Sequence, residues 1–346
     1  TTINKHTDYF NTVLYTGNGS YGKTVTGVGF QPDLVWIRNR PDARDHHWFD
    51  AVRGTNKVIG SDRTSAEATV SNGLTAFGTD GFTVGDDANV NDNGDSHVAW
   101  NWKAGTTGSG TTTGSGTAKA YSYSVNTTAG FSIINYVGNG TIGQQIPHHL
   151  GVTPQMIIQK NRDRTSNFLT YHHKNFASNG NCLRLNTNDA TFTDTGTYYS
   201  APTSNHVVIG NDAGMNTNDE NHIMYCFAEN TGYSQFGSYT GNGNEDGTFI
   251  YTGFKPSFVI AKESSSGGGH WRMRDDKRMT AGNPIDKLLR PDEATAEQTE
   301  DNVDFLSNGF KMRTTGGQNN GSGDTYIYMA FGQSLVGSNN VPCTAR

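Results

Sequence analysis

The chain has 346 residues, a formal net charge of −6 and a pI near 6.0, so it lacks the basic excess that a polyanion needs, and nucleic acid is not an expected partner. No stretch approaches the ~18 consecutive apolar residues of a membrane span and no charged start leads into an apolar run, so membrane insertion and a signal peptide are not expected. Charged residues make up only 17% and glycines number 43, with Asn, Thr and Ser filling the difference; these suit turns and strands and fill helix interiors poorly, so an all-β protein without long helices is predicted.

In chain order, the opening TTINKHTDYF is short and polar and reads as a docking arm. LYTGNG at 14–19 follows an apolar run and supplies a tight reversal, because Gly and Asn tolerate positive φ. GFQPDLVWIRNR at 29–40 is a strand entered through Pro32, and DHHWFDAV at 45–52 is the next. Asp45, His46, His47 and Asp50 fall close together there, but alternate side chains on a strand point to opposite faces, so His46 and His47 do not line one pocket. GDDANVNDNGDS at 85–96 has the oxygen density of a calcium loop, with Asp86, Asp87, Asp92 and Asp95 as ligands; the competing reading is a turn constraint. The closing strand sets Val98, Trp100 and Trp102 against Ala99, Asn101 and Lys103, a period of two that predicts one buried face.

Residues 104–119, AGTTGSGTTTGSGTAK, hold no large apolar side chain and read as a flexible linker. The four phrases then return in the same order. The second set is NYVGNG at 135–140, GVTPQMIIQKNR at 151–162, TYHHKNF at 170–176 and NTNDENHIMYCFA at 216–228; His172 and His173 repeat the alternation of His46 and His47. The third is SYTGNG at 238–243, GFKPSFVIAKES at 253–264, GHWRMRDD at 269–276 and NNGSGDTYIYMAFG at 319–332, with a short helix possible at PIDKLLR, 284–290. Pro32, Pro154 and Pro256 lie 17, 18 and 17 residues after Tyr15, Tyr136 and Tyr239.

Three related β-sandwich modules follow: 1–103, 120–231 and 232–332, with the linker 104–119 and a tail 333–346. Cys182, Cys226 and Cys343 share no repeated position and no CxxC spacing, so neither a disulfide framework nor a thiolate zinc site is expected.

GFQPDLVWIRNR, HHWFDAVRG, GLTAFGTDGFTVG and GDSHVAWNWKAG together resemble the β-rich modules of structural proteins of tailed bacteriophages, particularly marine ones, and the ending SLVGSNNVPCTAR is similar to their C-terminal tails. The resemblance implies a jelly-roll or concanavalin-like sandwich on the virion surface, in a tail fibre, head fibre or capsid decoration. Other virion proteins, further copies of the chain and host surface polysaccharide are the partners it implies. It offers no catalytic residues, and the basic stretch HWRMRDDKR departs from it. No GxSxG, HExxH or phosphate loop occurs, so no catalytic residue, cofactor or firm metal site is assigned. Trp48 and Trp271 are the candidate sugar contacts, with core packing as the alternative reading. A glycosidase is the competing function, and it needs two carboxylates about 5–10 Å apart in a cleft.

Overall fold

The computed structural model describes residues 2–176, 180–193 and 198–336. The first unit contributes β1 (Phe10–Thr16), β2 (Lys23–Thr26), β3 (Leu34–Asn39), β4 (His47–Asp50), β5 (Lys57–Val58), β6 (Ala68–Thr69), β7 (Leu74–Gly78), β8 (Gly81–Val84), the one-turn helix α1 (Ala88–Asn91) and β9 (Ser96–Trp102). The second contributes β10 (Thr106–Thr111), β11 (Thr113–Gly114), β12 (Ala120–Asn126), β13 (Phe131–Val137), β14 (Gln144–Pro147), β15 (Met156–Asn161), β16 (Leu169–His172), β17 (Asn181–Arg184), β18 (Phe192–Thr193), β19 (His206–Ile209), α2 (Ala213–Asn216) and β20 (Asn221–Phe227). The third contributes β21 (Ser234–Thr240), β22 (Phe249–Tyr251), β23 (Lys255–Glu263), β24 (Arg272–Asp275), β25 (Ile285–Leu288), β26 (Gln298–Leu306), β27 (Gly309–Met312), α3 (Gly317–Asn320) and β28 (Thr325–Gln333).

One antiparallel strand order occurs three times: β1-β9-β3-β4, β13-β20-β15-β16 and β21-β28-β23-β24. Register confirms the equivalence. Leu34, Met156 and Phe258 lie opposite Trp102, Phe227 and Phe331, and the prolines stand two residues before each. A second small sheet covers one face in each unit, giving three separate sandwich cores.

The other face of each four-stranded array is buried as well. Trp36, Trp100 and Trp102 of the first unit, Ile158, Tyr225 and Phe227 of the second, and Ile260, Met329 and Phe331 of the third belong to one shared cluster. Trp102, Phe227 and Phe331, equivalent in register, form a nearly equilateral triangle with ring centroids 6.3, 6.0 and 6.2 Å apart. Three units therefore close on a common axis. This explains why β3, β15 and β9 are buried almost throughout, where alternation predicted one buried face: Trp100 enters the shared core while Ala99 enters the unit's own. At one end of the axis, Arg38, Lys160 and Lys262 hold equivalent buried positions; Lys160 Nζ donates to the Asn161 carbonyl at 2.7 Å and Ser166 Oγ at 2.9 Å.

The repeated YxGNG turn is clasped by the one-turn helix. Asn18, Asn139 and Asn242 donate their backbone N–H to Oδ1 of Asn91, Asn216 and Asn320 at 2.9, 2.8 and 3.0 Å. Tyr15, Tyr136 and Tyr239 donate their hydroxyls to carbonyls of the same helices at 2.7, 2.8 and 2.8 Å. Gly19, Gly140 and Gly243 have φ of +61°, +71° and +63°, as the turn reading requires, and a Cβ on Gly17 would lie 2.0 Å from the Asp92 carbonyl oxygen.

Several expectations are corrected. The segment 104–119 contains β10 and β11, paired with β12 and β14. Its glycines serve the pairing: Gly108 and Gly110 lie opposite Tyr123 and Tyr121, whose rings occupy the space a Cβ would need. PIDKLLR contains strand β25: Ile285 enters the third unit's core, and Ile285, Lys287 and Leu288 pair with Val303, Thr299 and Gln298 of β26. The N-terminal arm docks within its own chain: Ile3 enters the shared core and the His6 N–H donates to Gln333 Oε1 at 2.8 Å. Cys182 and Cys226 are buried in the second core, while Cys343 and residues 337–346 of the tail lie outside the described residues.

Candidate functional site

The side chains singled out for binding are mostly interior. Trp48 and Trp271 are each 1% exposed; Trp48 packs on Trp36 and Tyr225, and Trp271 Nε1 donates to the Arg184 carbonyl at 2.9 Å. Neither has a face for a sugar, so the core reading holds for both. His46 accepts from Trp36 Nε1 at 2.9 Å and its Nε2 meets the Arg290 carbonyl, which ties the first unit to the third. His47 points into its own sandwich, and burial holds it at about 3, so both histidines stay neutral at physiological pH.

The acidic loop splits. Asp86 accepts from Asn72 Nδ2 and Asp87 caps α1 through the Asn89 N–H, each at 2.7 Å, so these two serve the turn. Asp92 and Asp95 converge with Asp42, their ligand atoms lying within 4.8 Å, but Arg44 already pairs with Asp92 at 2.6 Å and Asn39 donates to Asp95. Asp86 and Asp87 thus fit the turn constraint, whereas Asp92 and Asp95 tie the loop to Arg44 and Asn39.

One open site is a groove of about 550 Å³ at the junction of the second and third units. Gln155 comes from the entry to β15, His173 and Lys174 from the turn after β16, Glu229 from the exit of β20, Gln235 and Ser238 from β21, and Tyr328 from β28. Lys174, Glu229 and Ser238 are exposed, whereas Gln155, His173 and Gln235 are half-buried. The groove is held in shape by its own bonds. The Glu229 N–H donates to Gln155 Oε1 at 2.7 Å, Tyr328 Oη donates to Gln235 Oε1 at 2.7 Å, and His173 Nε2 lies 2.6 Å from the Phe236 carbonyl. Burial lowers the basicity of His173 and raises the Tyr328 phenol well above its ordinary range, so both present neutral groups beside one ammonium and one carboxylate.

Equivalent positions at the other junctions are covered. Along the second unit's edge β12 pairs with β13, and at the junction of units three and one the N-terminal turn binds Gln333, the register counterpart of Glu229. Among the lining residues, Gln155, His173, Lys174, Ser238 and Tyr328 fall in the repeated phrases, but of these only His173 was singled out in the sequence, and Glu229 and Gln235 lie outside them. The available signal was a departure: D-x-x-R at 50–53 and 275–278 becomes H-x-x-N at 172–175.

A family model described as "Domain of unknown function (DUF7483)" matches residues 5–334. No curated protein and no solved structure gives a match.

Proposed function

The chain belongs to the DUF7483 family, a domain of unknown function, and we propose that it is a non-enzymatic binding and assembly protein of a phage virion surface, whose groove between units two and three holds a host polysaccharide. The observation that carries this reading is the composition of the groove. Its volume of about 550 Å³ suits one or two sugar residues, and amide, imidazole, hydroxyl, ammonium and tyrosine groups converge on it. Among the described residues its lining includes a single carboxylate, Glu229, where glycoside hydrolysis needs two. The virion assignment rests on the phage-like phrases of the first unit. The shared core of the three units suits a scaffold, and exposed Tyr21, Ile142 and Tyr251, at 64%, 55% and 64%, offer contacts for neighbouring virion proteins or further copies.

The test is affinity electrophoresis and size-exclusion chromatography of the chain with a panel of bacterial surface polysaccharides. Retention should weaken about tenfold or more in Glu229→Gln and Gln235→Ala, with polymer length unchanged. Depolymerisation that vanishes on changing one acidic residue would replace this reading with a glycosidase.

A further inference from the structure

The third unit carries charge where its sisters carry packing. Register aligns Arg272 and Arg274 of β24 with His47 and Phe49 of the first unit and with Leu169 and Tyr171 of the second. Phe49, Leu169 and Tyr171 fill their sandwich cores. The two arginines point into the corresponding interior, 5% and 4% exposed, against Val259, Phe305 and Met312. A charge in that place is strongly destabilising unless it is fully paired.

Pairing is incomplete. Arg272 donates Nη1 to Glu300 and Nη2 to Gln318 Oε1; Arg274 donates to Asn302 Oδ1 and stands 3.7 Å from Glu300. The buried Nε of each arginine has no hydrogen-bond partner among the described residues. One carboxylate thus serves two guanidiniums, and the rest of the pairing is made by neutral amides. Burial, then the neighbouring Arg272, pulls Arg274 down to about 9, the direction expected of surplus positive charge. Arg272, Glu300, Asn302 and Asn319 also line an outer groove of about 410 Å³, together with the exposed, side-chain-free Gly316 and Gly317, so Glu300 takes one side of the Arg272 fork within it and leaves the side now held by Gln318. At the floor of that groove Gln318, half-buried, places a neutral amide oxygen where an anionic oxygen would satisfy Arg272 better.

We propose that this groove is a second binding site, distinct from that between units two and three, which takes the carboxylate of an acidic sugar or other small carboxylic acid on Arg272, with the Gln318 amide as its displaceable stand-in. The planar guanidinium fork matches a carboxylate, and the groove is large enough for one pyranose ring.

The experiment is thermal unfolding and calorimetric titration of the full chain at matched ionic strength with glucuronate, acetate, phosphate and glucose. Glucuronate and acetate should raise the melting temperature and glucose should not. Gln318→Glu supplies the missing carboxylate from within, so it should melt higher than the parent and lose the glucuronate response. Glu229→Gln, in the other groove, should keep that response. Arg272→Gln should lose it, and if that variant does not fold, Gln318→Glu still decides. A Gln318→Glu protein that melts lower or still responds to glucuronate would overturn the proposal. So would a parent that responds to phosphate alone or to no carboxylate.

Discussion

Two junctions of the ring are held by buried charge and the third by neutral groups. Between units one and two, Arg53 binds Asp50 at 2.5 Å and Glu67 at 3.1 Å, Glu67 binds Arg162 at 2.8 Å, and Tyr225 donates to Asp50 at 2.7 Å. Between units three and one the same chain is Arg278, Asp275, Glu297 and Arg40, with Trp100 Nε1 donating to Asp275 at 3.0 Å. Between units two and three the equivalent residues are Asn175, His172, Thr191 and Ser264; Thr191 Oγ1 donates to Asn175 Oδ1 at 2.8 Å and His172 meets the Tyr328 carbonyl at 3.1 Å. The backbone bond at the centre is kept in all three, Glu67 to Arg162, Glu297 to Arg40 and Thr191 to Ser264, at 2.8, 2.8 and 3.3 Å. Backbone geometry therefore sets the ring, and the side-chain network changes as a whole. All four members differ together because a half-replaced network would strand a buried charge.

The largest expected effect breaks this contrast. Asp50→Ala leaves the fully buried Arg53 with one partner fewer and should cost about 3–5 kcal/mol in denaturant unfolding, whereas Thr191→Ala at the neutral junction should cost about 1 kcal/mol. Next, transplanting the neutral set with Asp50→His, Arg53→Asn, Glu67→Thr and Arg162→Ser should return stability to within about 2 kcal/mol of the parent, since no unpaired charge remains. A quadruple variant less stable than Asp50→Ala would show that the charges are indispensable.

Acid sharpens the same comparison. Burial holds His172 at about 3 in the folded chain against an ordinary 6.5, so its contribution is complete above pH 6.5 and is lost as the pH falls toward 3. The stability difference between the parent and His172→Asn should shrink by about 1.4 kcal/mol per pH unit across that window, read from denaturant midpoints. A constant difference would mean that the imidazole is not kept neutral. The smallest effect concerns what the units share. Gly19→Ala, Gly140→Ala and Gly243→Ala each force a side chain into positive φ and should cost about 1 kcal/mol apiece in melting experiments, with no dependence on which junction lies nearby.

The repeated units were legible because turn glycines, entry prolines and period-two strands are local requirements of the backbone. The ring was not. A strand buried on both faces shows the same alternation as one buried on a single face when its second face carries Ala99, Asn101 and His97, and nothing local tells a solvent face from a polar interior. The segment 104–119 misled for a related reason: its glycines make room for Tyr121 and Tyr123, a requirement visible only once β10 and β12 are paired. For Trp48 and Trp271 the sequence left sugar contact and core packing both open, because much of the surface that covers them belongs to other units: Tyr225 and Phe168 for Trp48, beside Trp36 of its own unit, and the Arg184 backbone for Trp271. The groove residues Gln155 and Glu229 flank the paired strands β15 and β20 of the second unit, and Gln235 of the third unit joins them only when the two units come together.

The central claim is that three units share one core and stand or fall together. Differential scanning calorimetry of the full chain tests it most directly. The account predicts a single transition whose calorimetric and van't Hoff enthalpies agree, because unfolding any one unit exposes the aromatic faces of the other two. Two or three resolved transitions, or a van't Hoff enthalpy near one third of the calorimetric value, would contradict it.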